Sequence, residues 1–289
     1  MDYLTTRLIS SFFTGVILSQ TGSLLQFSTR NTLASPSTLG FDGLSVLWFL
    51  LSSSVLLFFN IEGTNLHLMF LGLPFFVLLG FTFLSIFRKS RNIEKLIFLG
   101  LTFNLAVGAV FSLWQFFFMA FNLPFPVELW FGHFRFSSFD SVTVLFVFEA
   151  LVMIFWFYLK KEFSLFSLGP SIAINLGLNI KKLFTYIFLT ISIGTFLVIS
   201  LFGAFSFLGL IFPILARKLW FRRFDLSGEF LVGSAMNGVM LLSIDLACYL
   251  FPIYGAEIPV GLIATIVGAV SLIVLLWKSD GRWELLSKR

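Results

Sequence analysis

The sequence predicts an all-α integral membrane protein, a polytopic helical bundle. Three observations predict it: composition, the length of the apolar runs, and the placement of lysine and arginine. Of 289 residues, 58% are hydrophobic and only 11% are charged, and mean hydropathy is +1.00. Soluble domains run at about 45–50% apolar and about 25% charged. No soluble fold hides this much apolar surface behind so little charge. The 42 phenylalanines agree, although codon bias would produce them equally well.

A helix needs about 20 apolar residues to cross the hydrocarbon core. The candidates are 8–27, 41–59, 66–87, 96–120, 141–159, 183–201, 203–217, 230–250 and 258–277, about nine spans on that criterion. The 8–27 run lacks the charged start of a signal peptide and exceeds the usual apolar length of one, so it reads as a mature span. The 203–217 run is short and follows the previous span almost at once. Gly203, Ala204 and Ser206 suit a tight reversal there, with a re-entrant or heavily tilted segment as the other option. Residues 1–289 read as a single transmembrane domain.

Orientation follows from the basic residues. With the N-terminus outside and the C-terminus in the cytoplasm, the inner connections hold Arg30; Arg88, Lys89, Arg91 and Lys95; Lys160, Lys161, Lys181 and Lys182; Arg217, Lys218, Arg222 and Arg223; and Lys278, Arg282, Lys288 and Arg289. Of the 19 basic residues, only Arg7 and Arg135 stay outside. That asymmetry is the one membrane insertion imposes. The net charge of +5 therefore reflects topology, and nucleic acid is excluded as a partner.

Chemistry is sparse. The single cysteine, Cys248, excludes an internal disulfide and a Cys-rich metal site. His67 and His133 lie far apart with no carboxylate cluster beside them, which argues against a metal centre. No Gly-x-x-x-x-Gly-Lys-Ser/Thr loop is present, so ATP is not expected on this chain through such a loop. No serine, histidine or second carboxylate stands in catalytic spacing with another, which argues against an intramembrane enzyme.

Polar and small residues inside the spans stand out. Gly15, Ser19 and Gly22 recur about once per turn in GVILSQTGSLLQ, and small residues so spaced let a neighbouring backbone approach. Gln20 and Gln26 add amides that must find partners away from water. The stretch either packs a helix pair tightly or contacts a transported solute. Glu149 sits in the middle of VLFVFEALVMIF, where an unpaired charge is costly. It lines a passage, carries a proton, or bonds a neighbouring helix in neutral form. Asn104, Asn237 and Asp245 also fall inside spans.

Four segments then resemble one family, the FecCD/BtuC-like permease subunits of bacterial ABC importers for ferric siderophores, haem and cobalamin. The first carries Gly15, Leu18, Gly22 and Gln26, followed by Asn31, Leu33, Ala34, Pro36, Leu39 and Gly40, with Thr32 where the family has proline. The second is FSFLGLIFPILARKL, in which Ser206, Phe207, Gly209, Leu210, Pro213 and Arg217 fit and Ile214 replaces a histidine. The third is Asp245 followed by EIPVGLIATIVGA from Glu257. The fourth is LGPSIAINLG at 168–177, with Pro170 in place of an acidic residue. The matches come in family order, and the resemblance implies a pattern of ten helices with the first missing here.

The resemblance implies a permease that does no covalent chemistry, binds no cofactor itself, and works with ATP consumed on partner subunits. Implied partners are a second permease subunit, expected to be non-identical, two ATP-binding cassette ATPases, a periplasmic or lipoprotein binding protein, and the lipid of the bacterial inner membrane. Gln26, Asn31, Thr32, Leu33 and Glu149 are expected at the translocation path and its cytoplasmic gate. Leu168, Gly169, Pro170, Ala173, Leu176 and Gly177 are expected to couple to the ATPase, with a short helix starting at Pro170 and Ala173 and Gly177 allowing close docking. Arg7, Tyr249 and Glu257 fall at binding-protein docking positions. Tyr249 stands where the family has arginine, and Arg7 also suits a plain interfacial anchor. The expected cargo is a ferric siderophore or similar iron chelate, with haem and cobalamin as alternatives. A proton-driven secondary transporter using Glu149 and a non-transporting assembly subunit are the other classes left open.

Overall fold

The structure, a computed structural model, describes residues 2–58, 65–89, 93–121, 131–219, 226–252 and 256–277. Its helices are α1 (Tyr3–Thr29), α2 (Phe41–Phe58), α3 (Asn65–Lys89), α4 (Ile93–Ala120), α5 (Phe139–Tyr158), α6 (Lys160–Ser167), α7 (Pro170–Asn175), α8 (Ile180–Phe202), α9 (Leu208–Leu219), α10 (Leu226–Leu250) and α11 (Val260–Trp277). A 3-10 turn, Ser37–Leu39, precedes α2.

Among the described residues, six helices are long and apolar enough to cross a bilayer: α1, α3, α4, α5, α8 and α10. The 18-residue α2 and α11 contain shorter apolar stretches, Phe41–Ser52 and Val260–Val274. With 12 residues, α9 rises only ~18 Å, less than the ~30 Å hydrocarbon core. The reversal before it uses Gly203 at φ 85° and Phe207 at φ 66°, and the Gly203 N–H donates to Ile199 O at 2.9 Å.

Local chemistry sets the helix ends. Ser138 accepts from the Ser141 N–H to start α5, and Asp140 lies in its first turn, where a negative charge suits the helix dipole. Asn179 caps α8 by accepting from the Lys182 N–H at 3.1 Å. The α7 turn begins with Pro170 after Gly169 at φ 119° and ends at Gly177 at φ 84°. There the Leu178 N–H reaches back to Ala173 O at 2.9 Å, a left-handed glycine stop.

Of these long helices, α1 and α8 are the most enclosed. Around α1 pack α10, α8, α9 and α5, while α8 also carries α3 and α2. Phe76 of α3 stacks on Phe196 of α8 at 3.9 Å between centroids, and Ser192 donates to Phe76 O at 2.6 Å. On α4 and α5, phenylalanine, leucine and isoleucine face outward, Leu105, Phe116, Ile154 and Phe157 among them, as lipid requires.

The two ends of the bundle differ. Arg7 donates to Tyr3 Oη, and Tyr3 Oη donates to Arg135 O, so the two isolated arginines share one end. At the other end, Arg30 donates to Phe166 O, and Lys182 lies over the Tyr158 ring. Arg91, Arg222, Arg223, Lys278, Arg282, Lys288 and Arg289 fall outside the described residues, and the side chains of His67, Arg88, Lys89 and Lys95 are likewise outside them.

Candidate functional site

The small residues of α1 are crossing points. A Cβ on Gly22 would lie 1.7 Å from Gly209 O of α9, and one on Gly15 would lie 2.6 Å from Asn237 O of α10. Asn237 locks the second crossing by donating to Gly15 O at 2.7 Å. On both sides of these crossings and between them, the helix carries buried hydroxyls, from Ser10, Ser11 and Thr14 to Ser19, Thr21 and Ser23. Serine and threonine are compact enough for this close packing and bring hydrogen-bonding groups with them.

The motif residues that follow α1 form a structured connection to α2. Gln26 donates to Leu210 O of α9 at 2.9 Å, and its carbonyl accepts from Arg217. Its amide therefore joins α1 to α9 by both ends. Arg30 takes φ 52°, and Asn31 Oδ1 accepts from the Leu33 N–H at 2.9 Å, a side-chain-closed turn. Asn31 and Thr32 are half-buried and Leu33 is exposed, while Ala34 is fully buried. Asn104 of α4 holds the next part, bonding Ser37 O and accepting from the Gly43 N–H.

Beyond the same end, α6 follows α5 after only Leu159, and α7 follows after Leu168 and Gly169. Phe163, Phe166 and Ala173 face inward and join one apolar cluster with Leu25, Trp156, Phe184 and Phe230. Ala173 is fully buried in this chain's own core, so its small size serves the seating of α7 on the bundle. Leu168, Ile172 and Leu176 project outward, each more than half exposed. Pro170 is half-buried, and Gly177 is exposed with open space around it.

At the opposite end Arg7 is 1% exposed, and Asp245 beside it is 0% exposed. The Arg7 Nε and Nη2 groups both reach Asp245, at 3.0 and 2.8 Å to Oδ1. Nη1 donates to Glu257 Oε2 at 2.7 Å, and Glu257 is 33% exposed. Tyr249 lies with its ring 5.0 Å from the guanidinium. The three docking candidates thus meet in one cluster, with Asp245 as the inner counter-ion and Glu257 as the member open to solvent. Arg7 offers its charge inward in this conformation.

Glu149 lies apart from the motif residues of the α1–α2 connection. It sits on the buried face of α5, where Gln20 Nε2 of α1 donates to its Oε1 at 2.7 Å. Tyr186 of α8 donates to Val152 O one turn further on, at 3.0 Å.

The sequence reading named Arg7, Asp245, Gln26 and Arg217 singly and missed that they pair. Spacing within a chain carries no signal for contacts 238 or 191 residues apart. One general signal was available: each is a polar group inside or beside a span, and such groups need partners.

A family model described as the FecCD transport family matches residues 1–278. Among curated relatives, the iron(3+)-hydroxamate import system permease protein FhuG of Bacillus subtilis (strain 168) is 25% identical over 289 residues, covering 96% of this chain and 83% of the relative. Two petrobactin import system permease proteins of the same strain also match. YclN is 28% identical, covering 91% of this chain and 81% of its own length. YclO is 23% identical, covering 98% and 91%. A solved structure described as an inward-facing conformation of a metal-chelate type ABC transporter superposes with TM-score 0.75 at 24% identity, covering 95% of this chain and 85% of the other. That likeness carries the fold.

Proposed function

Since this chain belongs to the FecCD transport family, we propose that it is the membrane-spanning permease subunit of an ATP-driven importer in the bacterial inner membrane. Its cargo is a ferric siderophore or similar iron chelate, handed over by a binding protein at the Arg7 end and released at the Arg30 end. FhuG and YclN, named for iron-hydroxamate and petrobactin import, support that class of cargo. YclN and YclO are two different permeases named for one import system, which supports a non-identical permease as partner.

The observation that carries the mechanism is the pair α6–α7. It sits at the end holding Lys160, Lys161, Lys181 and Lys182, the side that the charge rule assigns to the cytoplasm. Leu168, Ile172 and Leu176 are apolar and exposed there, on a segment tied to the core through Ala173, Phe163 and Phe166. An ATPase seated on those side chains would push a rigid element rather than a loose loop. The push would reach α5 directly and α1 through Arg30, which bonds Phe166 O. The inner gate is the Asn31–Leu33 turn, held between α1 and the Asn104 anchor.

No step needs a covalent intermediate. The chain supplies a passage with two closable ends, and ATP is consumed on partner subunits. The test is uptake of a radioactive ferric siderophore into vesicles containing this chain, its permease partner, the ATPase and the binding protein. Uptake should require ATP and survive collapse of the proton gradient. Uptake driven by the gradient without ATP would replace this reading with a secondary transporter.

A further inference from the structure

The buried face of α5 is a single stripe through Ser141, Leu145, Glu149, Val152 and Trp156, residues three or four apart on one side of a helix. The other faces carry exposed Phe146, Leu151 and Ile154. So α5 holds to the bundle along one line, and a carboxyl group sits at its middle.

Two buried acceptors at this point have no partner among the described residues: Glu149 Oε2 and Gln20 Oε1. They belong to the two residues already joined by the 2.7 Å bond from Gln20 Nε2 to Glu149 Oε1. An ionised carboxylate only accepts, and would leave both atoms unsatisfied. A protonated carboxyl has one O–H to give, and an amide can meet it with a second, parallel bond. The ion pairs among the described residues are those of Arg7 at the far end, so no cation pairs with Glu149 there. An uncompensated charge inside hydrocarbon is costly. The ionisable side chain facing Glu149 from a packed element is Tyr186 of α8, and α1 presents Gln20.

We propose that Glu149 carries a proton on Oε2 and donates it to Gln20 Oε1, closing a two-bond acid–amide pair that pins α5 to α1 and carries displacement of α6–α7 to α1. Glu149 is a positioning residue in this scheme, and its proton stays in place through the transport cycle. The layout around it fits a joint. Tyr186 fixes α5 to α8 at Val152, one turn along. Below that, Trp156 stacks on Phe230 of α10 at 4.0 Å and on Phe163 of α6 at 4.7 Å. A push on α6–α7 therefore enters α5 through a stacked aromatic contact and meets the Glu149–Gln20 pair as the polar link from α5 to α1, separate from the Arg30 bond to Phe166 O. The transmission half of this inference rests on α6–α7 being the coupling segment; the shared proton does not.

The test has two arms. Infrared difference spectra of the purified protein in lipid at neutral pH, wild type minus Glu149→Gln, should show a protonated-carboxyl carbonyl band that shifts in Gln20→Leu. Carboxylate bands in its place would overturn the shared proton. In vesicles with the partner subunits, Glu149→Gln, which keeps a neutral two-bond pair, should retain wild-type uptake per ATP hydrolysed. Glu149→Leu should keep hydrolysis but lose uptake per ATP roughly tenfold, within the range of a single coupling contact. Loss in Glu149→Gln equal to that in Glu149→Leu would mean the ionisable group itself is used, and normal coupling in Glu149→Leu would remove the pin. Membrane abundance and melting of both variants separate these outcomes from misfolding. If the wild type associates with no ATPase, the proposed function fails while the infrared arm still decides the proton.

Discussion

Gly22 of α1 and Gly209 of α9 cross so closely that a Cβ on Gly22 would sit 1.7 Å from the Gly209 carbonyl oxygen. No side chain rearrangement relieves that clash, because the obstacle is backbone. Gly22→Ala should therefore sharply reduce the amount of folded protein extracted from membranes and lower its melting temperature. Gly177→Ala is the contrast. Its Cβ meets open space, and only the left-handed φ of 84° resists, at a cost of about 1–2 kcal/mol. Equal tolerance of the two changes would mean that α1 and α9 do not cross at Gly22.

Arg7 and Asp245 form a buried pair, so removing one partner strands the other. Asp245→Ala should destabilise the protein by about 3–5 kcal/mol. Glu257→Gln touches a 33% exposed carboxylate and should cost about 1 kcal/mol or less. A double-mutant cycle on Arg7→Ala and Asp245→Ala, read by thermal melting in detergent, should be strongly non-additive. Additive losses would place the arginine elsewhere.

Ile172 and Leu176 are exposed, while Ala173 between them is fully buried. Ile172→Asp combined with Leu176→Asp should leave membrane abundance unchanged and abolish ATPase co-purification and uptake. Ala173→Trp should instead lose the folded protein, since the bulk has nowhere to go within the cluster around Trp156 and Phe184. Normal uptake by the double aspartate variant would refute the docking face.

Asn104 is the one described side chain of α4 that bonds the turn at Ser37 and the start of α2. Asn104→Leu keeps the size and removes both bonds. Residues 30–40 should then become more sensitive to protease in inside-out vesicles, with uptake reduced and the rest of the bundle intact. Unchanged cleavage would show that the turn is held by something else.

The helix positions were legible because lipid enforces a simple rule: the runs 41–59, 183–201 and 230–250 correspond to α2, α8 and α10 within a few residues. The short run at 203–217 proved to be α9 after a glycine-led reversal, as Gly203 suggested. Two things were not legible. The first is α6, whose lysines, serines and phenylalanines read as a loop; its helix forms because Phe163 and Phe166 pack on Trp156 of the preceding helix and on Phe27 and Phe184 from α1 and α8. The second is pairing. Gln20 with Glu149 and Gln26 with Arg217 join segments distant in sequence, and nothing local distinguishes a glutamine that bonds a carboxyl from one that bonds a carbonyl. The inward turn of Ala173 was equally hidden, since a small residue suits docking to a partner and packing at home alike.

The side of the membrane on which α7 lies tests the account most directly. Ile172→Cys in a Cys248→Ala background offers a single exposed thiol, because Ile172 is 52% exposed. In cells producing this chain without the ATPase, a membrane-impermeant maleimide should leave it unlabelled while the cells are intact and label it fully once the membrane is opened. Labelling in intact cells would put α6–α7 outside, away from any ATPase, and contradict the account.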